Sequence, residues 1–288
     1  MIPKVDFCTT VYEGYHHVLR EAIEAIYKHA HRIIIIYGGD QWHHNEMAGQ
    51  TTLLDMLPIL PDPDSKIIVS YAIEPYKGKD EQTVAINDHL SPDATHAWYF
   101  AADEVYDTKQ VGEVIDSLNL YTDHIDAFTF SWFCYFGDLT HYVGGWELQQ
   151  QVRLFRIAEG QRFTSHRPLR TKDKMRMKRM AHCPIHHYTY LFPEQVEMKM
   201  RYHQTLNRNS DIEEGWFENV FTPWVKGNQF TRMAIESQRN GVHPFKMRMR
   251  QATPTVECNL RNHPVVIDTQ ELSKRIKQEW TQLRIKQS

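Results

Sequence analysis

Long apolar runs are missing from this 288-residue chain: its longest unbroken aliphatic stretch is the four isoleucines at 33 to 36. A bilayer-spanning helix needs roughly 20 such residues, so no membrane span is expected. Closely spaced cysteines are missing too. Cys8, Cys134, Cys183 and Cys258 lie far apart with no CxxC pair, which argues against a zinc knuckle or a disulfide scaffold and fits a reducing cytosol. Charge of one sign is not in excess: 33 basic against 36 acidic residues give a formal net charge of -3. The molecule therefore carries no field that would draw it to nucleic acid, and an anionic partner must be met locally. The amino-terminal stretch MIPKVDFCTT has neither the basic flank nor the apolar core of a signal peptide, so a cytoplasmic location is the expectation. What is present is an ordinary globular balance, 41% hydrophobic and 24% charged, in a chain long enough to bury one large core.

The first hundred residues alternate strand and helix. KVDFCTTV reads as a strand, YHHVLREAIEAIYKHAHR puts Leu19, Ile23, Ile26 and Ala30 on one helical face, and RIIIIYGG is a buried strand closed by glycines. SKIIVSY supplies a third strand, KDEQTVAINDHL a helix and HAWYF a fourth strand, so a parallel sheet is expected. Asp107 and Gln110 have the spacing of a capping box for a helix carrying Val111, Val114, Ile115 and Leu118. Farther on, IDAFTFSWFCYF and LQQQVRLFRI read as long strands, and helices are expected after Pro193 and Asp268. In the last of these, Leu272, Ile276, Trp280 and Leu283 share a face. That face suits packing onto the body or a second subunit to form a homodimer, or peripheral contact with a membrane surface.

Directly behind the aromatic strand Trp98-Tyr99-Phe100 stand two acids, Asp103 and Glu104, at the carboxyl end of the expected parallel sheet, where open α/β folds bind ligands. A buried strand does not normally end in two charges without something to neutralise them. Adjacent strand residues point to opposite faces, so the two acids are not expected to reach one ion. Seventeen histidines offer further polar groups, among them His186 and His187 in HCPIHHYTYLFPEQ. The basic segment HRPLRTKDKMRMKRM reads as a solvated connection. Arg153 and Arg156 in RLFR alternate with apolar residues and are expected to share one strand face, holding a phosphate or a salt bridge.

The ordered set CTTVYEG, RIIIIYGGD, a lysine-rich turn before a helix, WYFAADEV, RLFR and HHYTY resembles the GT-A fold glycosyltransferases of family 2. The resemblance covers roughly residues 4 to 205. Within that family it is most similar to bacterial sugar transferases in which RLFR and a late His-Tyr follow the acidic motif. Ala101 stands where the family commonly carries the first acid of Asp-x-Asp, and Tyr37 where an aspartate commonly follows the aliphatic strand.

The resemblance implies a single GT-A-like α/β domain, Rossmann-related, with a mostly parallel sheet flanked by helices and a C-terminal strand and helix extension. Residues 1–125 would form its nucleotide-sugar-binding half, 126–205 its acceptor and catalytic half, and 206–288 the helical extension. It also implies transfer of a sugar from a nucleoside-diphosphate sugar to a glycan or lipid-linked acceptor, with inversion. The cofactor would be a divalent cation, Mn2+ or Mg2+, held by Asp103 and His187. Thr10, Tyr12, Glu13 and Asp40 would meet the nucleoside, and Lys79 and Arg153 the diphosphate. Asp138 or Glu147, on a loop hinged by Gly137, Gly144 and Gly145, would take the acceptor proton. Two other functions fit the residues: a metal-dependent hydrolase built on the histidine cluster, and a glycan-binding protein without turnover.

Overall fold

The computed structural model describes residues 2–11, 17–38, 60–71, 76–121, 124–143, 148–157, 162–164, 175–197, 199, 217, 221–222, 256–257 and 259–287. The chain divides into two compact units, Met1–Ser131 with Gln150–Ile185, and Trp132–Gln149 with His186–Ser288.

In the first unit β1 (Val5–Val11), β2 (Arg32–Tyr37), β3 (Ile67–Tyr71) and β4 (His96–Tyr99) run parallel in the order β3-β2-β1-β4. Next to β4 lies β8 (Gln150–Arg156), antiparallel to it, and then β6 (Ala127–Phe136), antiparallel to β8. The short β5 (Glu104–Val105) and β9 (Met177–Arg179) also belong to this unit, and β9 pairs parallel to β6. The mixed α/β fold, mostly parallel with helices at its flanks, is the one expected. Its sequence logic is plain in β1, buried over its whole length, and in the four isoleucines of β2. A strand covered on both faces need not alternate polar and apolar residues: β2 reads as a continuous apolar run, whereas β1 also buries Asp6, Thr9 and Thr10.

Of the three helices among the described residues of this unit, two bury an apolar face and the other buries polar side chains. In α1 (Leu19–Ile26) that face is Leu19, Ala22, Ile23 and Ile26. A second helix, α2 (Lys79–Val84), leads into a 3-10 turn at Ala85–Asp88 that buries Ile86. The third, α3 (Thr108–Ser117), buries Val111 and Val114 and is capped by Asp107, whose carboxylate accepts from the N–H groups of Lys109 and Gln110. The reciprocal half of the expected capping box is not formed, because the buried Gln110 Oε1 has no hydrogen-bond partner.

Two cores sit on opposite faces of the sheet. On one, Cys8, Ile34, Ile36, Ile86, Tyr99, Phe155 and Phe163 pack together. On the other, Trp98 stacks between Phe7 at 5.1 Å and Phe130 at 5.0 Å, with Tyr106 edge-on at 5.2 Å. Rings of this size dominate core burial, and the offset contacts add about 0.5–1.5 kcal/mol each beyond area.

The second unit contains the end of β6 from Trp132, then β7 (His141–Tyr142), β10 (Ile185–Tyr190) from His186 onward and β11 (Val256–Glu257), with β7 antiparallel to β6 and β11. Gly137 follows β6 with φ 75°, a backbone conformation that favours glycine, and its N–H reaches Tyr190 O at 2.6 Å. Residues 193–197 are helical from Pro193 onward, as suits a proline at the first helical position. Asp268 caps α4 (Thr269–Gln287) by accepting from Gln270 and Glu271 N–H. Leu272, Ile276 and Trp280 are buried, with Trp280 stacked on Phe221 at 5.7 Å. These three form the packing face expected from the sequence; the side chain of Leu283 lies outside the described residues. Among the described residues, no helix is long and apolar enough to cross a membrane.

Burial at the amino end of β4 makes stability depend on pH. His96 is buried, and that burial, with Arg156 nearby, lowers its pKa from 6.5 to about 4. The folded state thus favours the neutral ring. The contribution is complete above pH 6.5 and is lost as pH falls from there towards 4, because the unfolded chain takes up the proton first. Urea melts should show stability falling by about 1.4 kcal/mol per pH unit from this group in that window. His96→Gln should flatten the slope by one proton's worth; an unchanged slope would place the titration elsewhere.

Candidate active site at the carboxyl edge of the parallel sheet

Strand order reverses between β1 and β4: the chain leaves β1 for β2 on one side, and from β3 it crosses back to β4 on the other. The crevice outside the carboxyl ends at such a reversal is where open α/β sheets bind ligands. Here the two strand ends are joined by side chains. The hydroxyls of Thr10 on β1 and Tyr99 on β4 are 2.9 Å apart, and both residues are buried.

The ends of β1 and β2 are closed from below by Gln82 of α2. Its Nε2 donates to Val11 O at 3.0 Å and to Ile36 O at 2.8 Å. Two carbonyl acceptors fix the orientation of the amide, since turning it over would set oxygen against oxygen. The Gln82 Oε1 is left buried without a hydrogen-bond partner. Lys79 begins the same helix and is half-buried.

Beyond Tyr99 the chain leaves β4 at once and reaches β5 at Glu104. Phe100 N–H still reaches Cys8 O at 2.9 Å, and Glu104 N–H then closes a turn onto Ala101 O at 2.9 Å. Asp103 stands inside that turn and is buried. The alternation of a strand therefore does not govern how Asp103 and Glu104 point. What separates them is Glu104's own bonding. Its fully buried carboxylate accepts from Ala101 N–H at 3.0 Å, from Arg153 Nε at 3.0 and 3.3 Å, and from Arg153 Nη2 at 2.7 Å. This is a two-pronged guanidinium-carboxylate pair, among the strongest polar contacts side chains make. Burial pulls the Arg153 pKa down, but the charge of Glu104 outweighs it and holds the group above the ordinary arginine value.

A β-bulge aims Arg153. Leu154 pairs with Phe128 while Val152 pairs with the next residue, Thr129. Arg153 is thus the extra residue of β8, and bulges redirect side chains in this way. Its guanidinium also lies over the Tyr99 ring at 5.8 Å, and its Nη1 donates to Val152 O at 3.2 Å. Arg156 goes to a different acid, Asp126, at 3.7 Å. The shared face expected for the two arginines is not found: positions three apart on a strand fall on opposite sides.

Asp138, His186 and His187 belong to the second unit. Asp138 Oδ1 accepts from Thr140 N–H at 2.7 Å, from its hydroxyl at 2.9 Å, and from His141 Nδ1 at 2.9 Å. His187 is buried with its ring stacked on Trp132 at 4.6 Å. His186 Nδ1 is 2.8 Å from the Tyr135 hydroxyl. His263, which the sequence reading did not select, donates from Nε2 to Leu139 O at 2.8 Å, so its Nδ1 accepts from the Tyr188 hydroxyl at 2.8 Å. Burial lowers the pKa of both His186, to about 3, and His263. Tyr12, Glu13, Asp40 and Glu147 lie outside the described residues.

Among the described residues, Asp103 and Glu104 are the acids of the turn at this edge, and Glu104 is bonded to Arg153. No group of three or more His, Cys, Asp or Glu that could hold a metal ion occurs among the described residues. A hard cation can be held by one protein carboxylate when substrate phosphates supply further oxygens, and Asp103 fits that mode rather than a protein-only cage.

No protein family and none of the curated proteins matches the chain. Among solved structures it is similar to 4-diphosphocytidyl-2C-methyl-D-erythritol synthase from Anaerococcus prevotii, at 11% identity over 54% of this chain and 70% of that one, with a TM-score of 0.34. It is similar to residues 1-349 of S. aureus TarS in complex with UDP-GlcNAc, at 11% identity over 81% and 76% of the two chains, TM-score 0.36. Of a longer TarS chain it covers 44%. A third likeness is to Rv0371c from Mycobacterium tuberculosis, at 9% identity over 70% and 98%, TM-score 0.37. Likenesses of this size assign no residue of this chain a role.

Gln82 gives the test of the strand-end geometry. Gln82→Met strips two buried carbonyls of a donor and should cost about 1–3 kcal/mol in urea denaturation. Gln82→Glu sets a carboxylate against those carbonyls and should cost more at neutral pH, recovering in part as acid protonates it. Equal stability of the glutamate variant and the parent at pH 7 would contradict the assigned orientation.

Proposed function

We propose that this protein is an enzyme that transfers a sugar from a nucleoside-diphosphate sugar to a glycan or lipid-linked acceptor, with inversion and the assistance of a divalent cation, manganese or magnesium. The observation that supports the reading is the gathering of Thr10, Tyr99 and Asp103 at the carboxyl ends of β1 and β4, where the strand order reverses.

Breaking the bond to a diphosphate leaving group concentrates negative charge on its oxygens, and a bound cation would neutralise that charge as a Lewis acid. Asp103 is the proposed carboxylate for this ion. The Thr10 hydroxyl, bonded to Tyr99, keeps hydrogen-bonding capacity for a base edge. Tyr12, Glu13 and Asp40 are proposed for the nucleoside and Lys79 for the diphosphate. An inverting transfer also needs a base for the acceptor hydroxyl. Asp138 and Glu147 are the proposed candidates, and the bonds from Thr140 and His141 hold the Asp138 carboxylate in a fixed orientation.

The charge of Asp103 is the feature to remove. Asp103→Asn keeps the shape of the side chain but not its charge. Turnover of the donor should fall about a hundredfold or more, the scale of one strong electrostatic contact in an active site. The melting temperature should barely change. Full activity, or a loss that merely tracks unfolding, would make Asp103 a turn residue.

A further inference from the structure

We propose that Glu104 and Arg153 form a positioning pair, in which Glu104 spends the charge of Arg153 inside the protein and ties down the turn carrying Asp103. Arg153 is then not itself a donor ligand. The inference rests on the donor reading above and deepens it.

Three observations converge. First, β8 spends an extra residue on Arg153, and the bulge delivers its guanidinium to Glu104. Second, the donors are committed: Nε and Nη2 face Glu104, and Nη1 donates to Val152 O. Three of five guanidinium N–H groups are thereby used within the protein. Third, the same carboxylate holds Ala101 N–H, while Glu104 N–H holds Ala101 O. The turn bracketing Asp103 is closed once through the backbone and once through the Glu104 side chain. A buried ion pair is seldom more stabilising than apolar residues of the same volume, so stability alone does not account for it. Placing Asp103 at the strand reversal does, and so does cancelling a cation that would otherwise compete for the carboxylate meant for the metal ion.

The test measures binding of inorganic pyrophosphate, in the presence of chelator, by calorimetric titration. Glu104→Gln releases the guanidinium charge and should tighten pyrophosphate about tenfold, since an unneutralised arginine is a strong diphosphate binder. The double variant Glu104→Met, Arg153→Met buries no charge and should bind pyrophosphate within about twofold of the parent. Its Ala102 and Asp103 amides should exchange hydrogen faster. Its manganese-dependent gain in nucleoside-diphosphate binding should shrink about tenfold, as Asp103 loses its fixed place.

A purely structural role would lower stability without raising anion affinity. Loss of more than fivefold in pyrophosphate binding by the double variant would show Arg153 to be a donor ligand and overturn the proposal. So would a cooperatively melting Glu104→Gln protein with no gain in affinity. Should that variant fail to melt cooperatively, the double variant decides alone. A parent protein without any manganese-dependent nucleotide binding would remove the metal reading. The pyrophosphate comparison would still decide the pair, because binding gained by Glu104→Gln over a parent that binds none supports it and no gain overturns it.

Discussion

The carboxyl edge of the first unit depends on one buried contact, the pair between Glu104 and Arg153. Removing Arg153 would leave the fully buried Glu104 carboxylate unpaired, a loss typically of about 3–5 kcal/mol, and removing Glu104 would leave the largely buried guanidinium without its counter-charge. The pair reaches in two directions. Through Ala101 N–H it fixes the turn that follows β4, and through the bulge it holds Arg153 of β8 over the Tyr99 ring. The Thr10 and Tyr99 hydroxyls then join β4 to β1, and Gln82 joins β1 to β2. Four neighbouring strands are thus joined by side chains as well as by the sheet's backbone ladder. Such an edge can present polar groups to a ligand without reorganising them, which is what a pre-organised site requires.

The second unit uses another kind of order. Tyr135 stacks on His263 at 4.4 Å and on Tyr188 at 5.0 Å, and hydroxyl-imidazole bonds run from Tyr135 to His186 and from Tyr188 to His263. Burial holds His186 and His263 neutral, and Leu139 O fixes the tautomer of His263. This network consumes much of the hydrogen-bonding capacity that a cluster of histidines suggests for metal binding. His263 stands 75 residues from its partner Tyr188, so no local spacing announces the pairing.

What could be read from the sequence was local or periodic. The apolar run of β2, the buried face of α1, the Asp107 cap and the face of α4 with Leu272, Ile276 and Trp280 all follow from short-range patterns, and the structure has them. The Gln110 half of the capping box is absent because a spacing rule does not say where a long side chain ends up. Arg153 and Arg156 do not share the face expected of them, because a three-residue spacing sets them on opposite sides of a strand. The bulge that carries Arg153 to Glu104 depends on the register with β6, which the sequence of β8 alone does not contain. Gln82 was illegible for a related reason: its partners are carbonyls of β1 and β2, and every residue has a carbonyl. Asp103 was visible as an acid behind a strand. Its turn and the capture of its neighbour by Arg153 came only with tertiary structure.

The central claim is that a nucleotide diphosphate binds at the reversal between β1 and β4. Hydrogen exchange resolved to single amides, recorded with and without uridine, guanosine or thymidine diphosphate in manganese, tests it most directly. The account predicts that at least one nucleotide slows exchange at residues 9–11 and 100–104 and leaves the amides at the opposite, amino ends of the strands unchanged. Slowing confined to other regions with all three nucleotides, or none at saturating concentrations, would contradict it.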